Sequence, residues 1–210
     1  MKPLQMLYPT GCMLCGTTQN VHHGLCFSCY AAWRKQEQYL VSRDVTHLTA
    51  ICSAALYRNA MRKAMLDLKF RGKRENAAVF AHMMWEAWKQ SGLPQPDCIT
   101  FVPMNLIHMH RRGFNQSEEL AILLSDMWDV PLYHPLKRKF LSATQAKLDA
   151  SRRMHNAQRS FSCGQQIDLT GQHVMLIDDI LTTGATGDVC AGLLQQCGAK
   201  EVWLLTAVHT

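Results

Sequence analysis

His173-Val174-Met175-Leu176-Ile177-Asp178-Asp179-Ile180-Leu181-Thr182-Thr183-Gly184-Ala185-Thr186 is the stretch around which the rest of the chain is arranged. Residues 174–177 are a short apolar run, suited to a strand buried on both faces of a parallel sheet. Asp178 and Asp179 follow at the C-terminal end of that strand. Thr182, Thr183, Gly184, Ala185 and Thr186 make a turn of small residues. From 188 to 196 the pattern is helical, with Val189, Leu193 and Leu194 apolar, and Gly198 is a natural stop.

These three parts in this order predict a sugar-phosphate site. A turn of Gly and Thr lets backbone N–H groups close around an anion, and the hydroxyls add donors. The helix start beyond it carries partial positive charge and free N–H groups. Two carboxylates repel a phosphate but accept hydrogen bonds from the vicinal hydroxyls of a ribose, as an acid does in dinucleotide sites. The turn is therefore expected to hold a 5-phosphate, and Asp178 and Asp179 the ribose hydroxyls. Residues 176–186 resemble the phosphoribosyl pyrophosphate (PRPP) motif of type I phosphoribosyltransferases, in which two acids precede a T-x-G turn.

The chain has 210 residues, enough for one α/β domain plus a small appendage. Hydrophobic content of 48% against 18% charged residues predicts a globular protein rather than a disordered one. No apolar run approaches the roughly 20 residues that span a bilayer, and the N-terminus shows no signal-peptide core. A cytoplasmic location is expected. The formal net charge of +6 favours anionic partners, phosphates or nucleic acid, without choosing between them.

Nine cysteines are present, and four of them share a pattern. Cys12 and Cys15, then Cys26 and Cys29, form two C-x2-C pairs separated by ten residues. Each pair suits a knuckle turn that chelates one ion, and four thiolates in a reducing cytosol select Zn²⁺. An iron–sulfur cluster also suits four cysteines. A closed four-thiolate site has no open position, so it is structural, and it supplies folding energy that about 30 residues cannot draw from a core. His22 and His23 are expected to be loop residues, and the other five cysteines small buried thiols.

Between these ends, residues 33–47 suit a linker or short helix, 48–57 a strand and 60–68 a helix. Residues 69–74 form a basic loop that is either a solvated face or a phosphate contact. Residues 76–88 suit an amphipathic helix whose Val79, Phe80, Met83, Met84 and Trp88 face a core. A second apolar strand, 99–102, leads into a basic, glycine-bearing loop with Arg111, Arg112 and Gly113, then a helix from about 118 to 127. Arg111 and Arg112 are placed to neutralise a leaving pyrophosphate. Asn115 and Gln116 are either polar contacts or, for Asn115, the cap of that helix. From 137 to 161 there are seven Lys or Arg against one acid, Asp149. This suits a mobile cover over an anion or a nucleic-acid-binding arm. Residues 201–208 suit a last strand.

The order of a four-cysteine knuckle pair, K-F-R-G-K-R-E, V-P-M with R-R-G-F-N-Q, and the PRPP motif resembles the ComF family of bacterial competence proteins over nearly the whole chain. The resemblance implies an α/β fold: a type I phosphoribosyltransferase-like domain, with a Rossmann-like parallel sheet flanked by helices, over 41–210. A four-cysteine zinc finger and linker occupy 1–40. It implies PRPP bound with Mg²⁺, and a part in natural transformation, with single-stranded DNA and other competence proteins as partners. Asp178, Asp179, Arg111 and Arg112 would then act on PRPP. Thr182 stands where some purine-salvage relatives carry an aspartate base, and a threonine cannot act as a base at neutral pH. Two alternatives stand beside this expectation: a metabolic phosphoribosyltransferase with an unknown acceptor, and a non-catalytic single-stranded DNA or protein adaptor.

Overall fold

The computed structural model describes residues 8–35, 39–138, 160–163 and 167–210. In chain order the elements are β1 (Val21–His22), β2 (Leu25–Cys26), α1 (Phe27–Arg34), β3 (Ala50–Leu56), α2 (Asn59–Phe70), α3 (Asn76–Gln90), β4 (Cys98–Phe101) and α4 (Leu106–Arg112). They continue with α5 (Gln116–Trp128), β5 (Leu136–Arg138), β6 (Phe161–Cys163), β7 (His173–Leu181), α6 (Ala185–Gln196) and β8 (Glu201–His209). The main sheet runs in the order β3-β8-β7-β4, and every neighbouring pair is parallel.

The apolar runs explain the layering. Side chains alternate across a strand, so β7 sends Met175 and Ile177 to one face and Val174 and Leu176 to the other. β8 does the same with Trp203 and Leu205 against Val202 and Leu204. The first face packs on α3 and α5 through Phe80, Met83, Met84, Leu120 and Leu124. The second packs on α6 through Cys190, Ala191 and Leu194. A parallel sheet flanked by helices follows, as expected, and the Met and aromatic stripe of α3 is core. Trp88 lies tilted on Trp203 with ring centroids 5.2 Å apart, and its indole N–H donates to the Pro94 carbonyl at 2.9 Å. The buried ring thus leaves no polar edge unpaired.

The finger is a small hairpin pressed on this body. His23 and Gly24 turn β1 into β2 with φ of 48° and 76°, the positive pair that two-residue hairpin turns require. A Cβ on Gly24 would lie 2.2 Å from Val79 Cγ2 of α3, so only glycine fits. Trp33 donates its indole N–H to the Ala54 carbonyl of β3 at 2.7 Å, and the His23 ring stacks on His82 at 4.2 Å.

Several boundaries differ from the sequence expectation. β7 does not stop at residue 177 but continues to Leu181, because Asp178 and Ile180 still pair with Thr206 and Val208 of β8. α6 begins at Ala185 rather than 188. The basic loop after β4 contains a helix, α4, built from good helix formers such as Leu106, Met109 and Arg112. It ends at Gly113, with φ of 79° and its N–H donating to the Met109 carbonyl. α2 runs on to Phe70, which shortens the first basic loop. Of the basic segment expected to form a cover, residues 139–159 lie outside the described residues. Among the described residues, no helix is long and apolar enough to cross a membrane.

Trp88→Ala removes a ring that is 1% exposed, and is expected to cost about 3–5 kcal/mol in urea unfolding. Phe27→Ala, at a side chain 76% exposed, is expected to stay within about 0.5 kcal/mol of the parent.

Candidate functional site

The C-terminal ends of β7 and β8 meet the first turn of α6 at a small hollow of about 40 Å³, bordered by Asp178, residues 182–187 and Leu204. Gly184 caps α6 with φ of 85°. Gly187 lies so close to β8 that a Cβ there would be 2.9 Å from Leu204 Cδ2. The two glycines let the helix start sit low over the strand ends, where its free N–H groups can meet an anion. Thr183 Oγ1 accepts from the Ala185 N–H at 3.4 Å.

The segment 41–48 braces this turn from outside. Arg43 Nε donates to the Thr182 carbonyl at 2.8 Å, and its Nη2 donates to the Thr210 carbonyl at 2.7 Å. A carbonyl held by a guanidinium repels an anion less, and the cation adds positive potential beside the turn. Asp188 Oδ1 accepts the backbone N–H groups of Thr46, His47 and Leu48 at 2.9, 2.6 and 3.2 Å. Asp188 is an acid in the first turn of α6, and it is also the anchor of this strap. The strap falls in the stretch read as a linker, and its residues have no periodicity that would have revealed it.

The two aspartates are held by different elements. Ser117 Oγ, at the start of α5, donates to Asp178 Oδ1 at 2.9 Å. The Asp179 N–H donates to the same oxygen at 2.8 Å. Lys69 Nζ, near the end of α2, lies 2.8 Å from Asp179 Oδ2, and both side chains are only 13% exposed. Burial, then the neighbouring Asp179 carboxylate, push the Asp178 carboxyl up to about 7, against the pull of the Asp179 N–H, Ser117 and Lys69. Near neutral pH this group both accepts and donates hydrogen bonds, which suits sugar hydroxyls. Lys69 and Ser117 are the partners of the aspartates that sequence reasoning missed. Lys69 was one cation among many, and the placement of Ser117 beside Asp178 depends on the packing of α5 against β7.

The other predicted groups are placed as follows. Asn115 caps α5: its Oδ1 accepts from the Ser117 N–H at 3.1 Å, and its Nδ2 donates to the Val102 carbonyl at 3.2 Å. Gln116 is fully buried and accepts from Arg112 Nη1 at 3.0 Å. The Arg112 guanidinium also lies over the Phe70 ring, 4.8 Å from its centroid. The Arg111 side chain lies outside the described residues. In the first basic loop, Arg71 and Lys73 pair with the buried Asp67 at 2.9 and 3.1 Å. Arg74 pairs with Glu119 and covers Phe114. These cations therefore serve mainly as ion-pair partners for acids of the chain itself.

None of the four knuckle cysteines borders this hollow; the Sγ atoms of Cys12, Cys15, Cys26 and Cys29 all lie within 4.8 Å of one another. Those of Cys15 and Cys26 are 3.7 Å apart. Four sulfurs about 2.3 Å from a tetrahedral ion stand roughly 3.8 Å from each other, so the donor set and its spacing fit such an ion. Burial raises the Cys12 thiol, but backbone N–H groups of Cys26, Cys15 and Leu14 outweigh it and bring it down to about 6. His23 lies in a turn, as expected, but His22 belongs to β1, where it pairs with Leu25; neither joins the four-cysteine cluster.

No family model matches the chain. It is 36% identical over 149 residues to the DNA utilization protein YhgH of Salmonella typhi, a match covering 66% of this chain and 63% of that protein. It is 28% identical over 200 residues to the competence protein ComFC of Bacillus subtilis, covering 95% of this chain and 78% of that one. Among solved structures it overlaps a purine phosphoribosyltransferase from Pyrococcus horikoshii at a TM-score of 0.39 and 19% identity, over 62% of this chain and 80% of that one.

Asp178 supplies a pH test. A carboxyl raised in the folded state contributes stability at acid pH that is lost as pH rises through about 7. Asp178→Asn keeps the shape and removes the titration. The variant is expected to exceed the parent by at least ~1.4 kcal/mol at pH 8.5, the worth of one unit, with the gap shrinking toward pH 5. Urea unfolding across that range reads it, and parallel profiles would count against a raised Asp178.

Proposed function

We propose that this chain, a member of the ComF family of competence proteins, serves competence and DNA utilization through a PRPP site at the C-terminal end of β7. The observation that carries the proposal is the arrangement of the aspartates beside the turn. Asp178 and Asp179 are oriented by Ser117 and Lys69 next to a glycine-capped helix start braced by Arg43. In this reading the turn of Thr182, Thr183, Gly184, Ala185 and Thr186 binds the 5-phosphate, and the aspartates bind the ribose hydroxyls. In the same reading Arg111 and Arg112 neutralise the pyrophosphate. Mg²⁺ bound together with the ligand would supply positive charge to the pyrophosphate.

The remaining parts of the proposal rest on the same kinship. The finger over 1–40 holds structural Zn²⁺ at Cys12, Cys15, Cys26 and Cys29, and the phosphoribosyltransferase-like domain spans 41–210. The setting is the cytoplasm, with imported single-stranded DNA and other competence proteins as partners. The proposal is one of binding. Thr182, whose carbonyl is taken by Arg43, supplies no base for an acceptor.

Calorimetry with PRPP and Mg²⁺ tests the site. Wild type is expected to bind, and the Asp178→Asn/Asp179→Asn double variant to lose about tenfold in affinity, ~1.4 kcal/mol. A wild type that binds no PRPP sinks the proposal. Elemental analysis tests the finger separately. One zinc per chain is expected, and Cys26→Ser is expected to lose the metal and lower Tm. A visible absorption band with bound iron would instead mean an iron–sulfur cluster.

A further inference from the structure

Four of the nine cysteines form the knuckle, and three more are sealed in the core. Cys52, Cys98 and Cys190 are at most 1% exposed, and burial pushes the Cys52 and Cys98 thiols up to about 12. They are inert packing groups. The remaining two, Cys163 and Cys197, differ in exposure and in lying side by side, although burial and the neighbouring Cys163 push the Cys197 thiol up to about 11. Each is partly exposed, and their Sγ atoms are 3.0 Å apart.

Their contact is fixed by the fold rather than by loose ends. Cys163 closes β6, and Cys197 caps the C-terminus of α6. Phe161 of β6 packs in the same apolar cluster as Cys190 and Leu194 of α6. The Leu169 N–H donates to the Cys197 carbonyl at 2.9 Å, tying the chain that follows β6 to the same cap. The sulfurs need approach by only about 1 Å to reach a covalent S–S length.

We infer that Cys163 and Cys197 form an oxidation site, a dithiol that closes to an intramolecular disulfide when it meets a hydroperoxide. In the first step one sulfur, as thiolate, attacks a peroxide oxygen. The O–O bond breaks, the alcohol or water leaves with the thiol's proton, and a sulfenic acid forms. In the second step the other thiol attacks that sulfur, the S–O bond breaks, water leaves and the S–S bond forms. Two thiols give up two electrons, and one hydroperoxide becomes an alcohol and water. In a reducing cytosol the pair rests open and closes under oxidant load. Closure ties the β5–β6 ribbon covalently to the helix whose other end carries the Gly184 turn.

The test uses the full chain treated with a small excess of hydrogen peroxide, then alkylated, digested and mapped by mass spectrometry. The expected result is a peptide pair joined through Cys163 and Cys197, lighter by two hydrogens and released by dithiothreitol. Cys163→Ser and Cys197→Ser are each expected to abolish that pair and leave the surviving sulfur open to a dimedone probe. The oxidised parent is expected to melt several degrees higher than the reduced form, because the bond closes a loop between residues 34 apart in sequence. If the knuckle cysteines oxidise while Cys163 and Cys197 both remain alkylated, the inference fails. It fails equally if either cysteine is found joined to a different partner. The map of the parent decides the matter even if a serine variant does not fold.

Discussion

Two carboxylates, Asp178 and Asp179, sit at the end of a strand that is buried on both faces, and most of the site follows from how that burial is tolerated. A buried, unpaired carboxylate is costly, and a like charge next to it adds to the cost. The fold answers each acid differently. Asp179 receives a cation, Lys69, in a contact where neither side chain is much exposed. Asp178 receives two donors, Ser117 and the Asp179 N–H, and burial raises its affinity for a proton. These partners come from the end of α2 and the start of α5, so both helices must be seated before the pair is satisfied. Once seated, they hold both acids in place, and Asp178 borders the hollow beside the turn.

The turn itself is held from the opposite side. Gly187 lets α6 approach β8, and Gly184 takes a backbone conformation that side chains rarely adopt. That approach leaves the turn's outer surface to the strap 41–48. Arg43 takes the Thr182 carbonyl, and Asp188 gathers three N–H groups of the strap. A loop of small residues has little packing of its own, so its geometry depends on these outside contacts. The small residues of the turn are therefore held in part by Arg43, a charged residue more than a hundred positions away in the chain.

This division explains which features could be read from the chain. Strand β7, its aspartates, the turn and helix α6 were legible because local pattern carries them: an apolar run, two acids, small residues, then helical spacing. The cysteine knuckle was legible for the same reason, since its spacing alone brings four thiolates together. Lys69, Ser117 and Arg43 were not. Each is an ordinary residue in its own neighbourhood, and its meaning comes from tertiary packing that no local period encodes. The end of β7 was placed too early because polar residues usually close a buried strand. Here backbone pairing with β8 continues past them. Helix α4 was missed because its basic residues and the nearby glycine resemble a loop, whereas Leu106, Met109 and Arg112 have good helical propensity.

The finger follows from the same logic at the other end of the chain. A segment of about 30 residues cannot bury enough apolar surface to stand alone. Its Cys12, Leu25, Cys26 and Trp33 share one apolar cluster with Val79 and Phe80 of α3. Tyr30 donates to Glu86 of that helix at 2.9 Å, and Trp33 donates to β3. From β3 the connection passes back through the strap, because the Val41 N–H donates to the Ile51 carbonyl and the Ser53 N–H donates to the Tyr39 carbonyl. The strap then reaches Thr182 through Arg43. The order of the thiolate knuckle and the bracing of the 182–186 turn thus meet in β3 and residues 39–48. Loosening of the finger's seat on β3 and α3 would weaken the wall against which the strap is held, even though the knuckle touches nothing in the hollow itself.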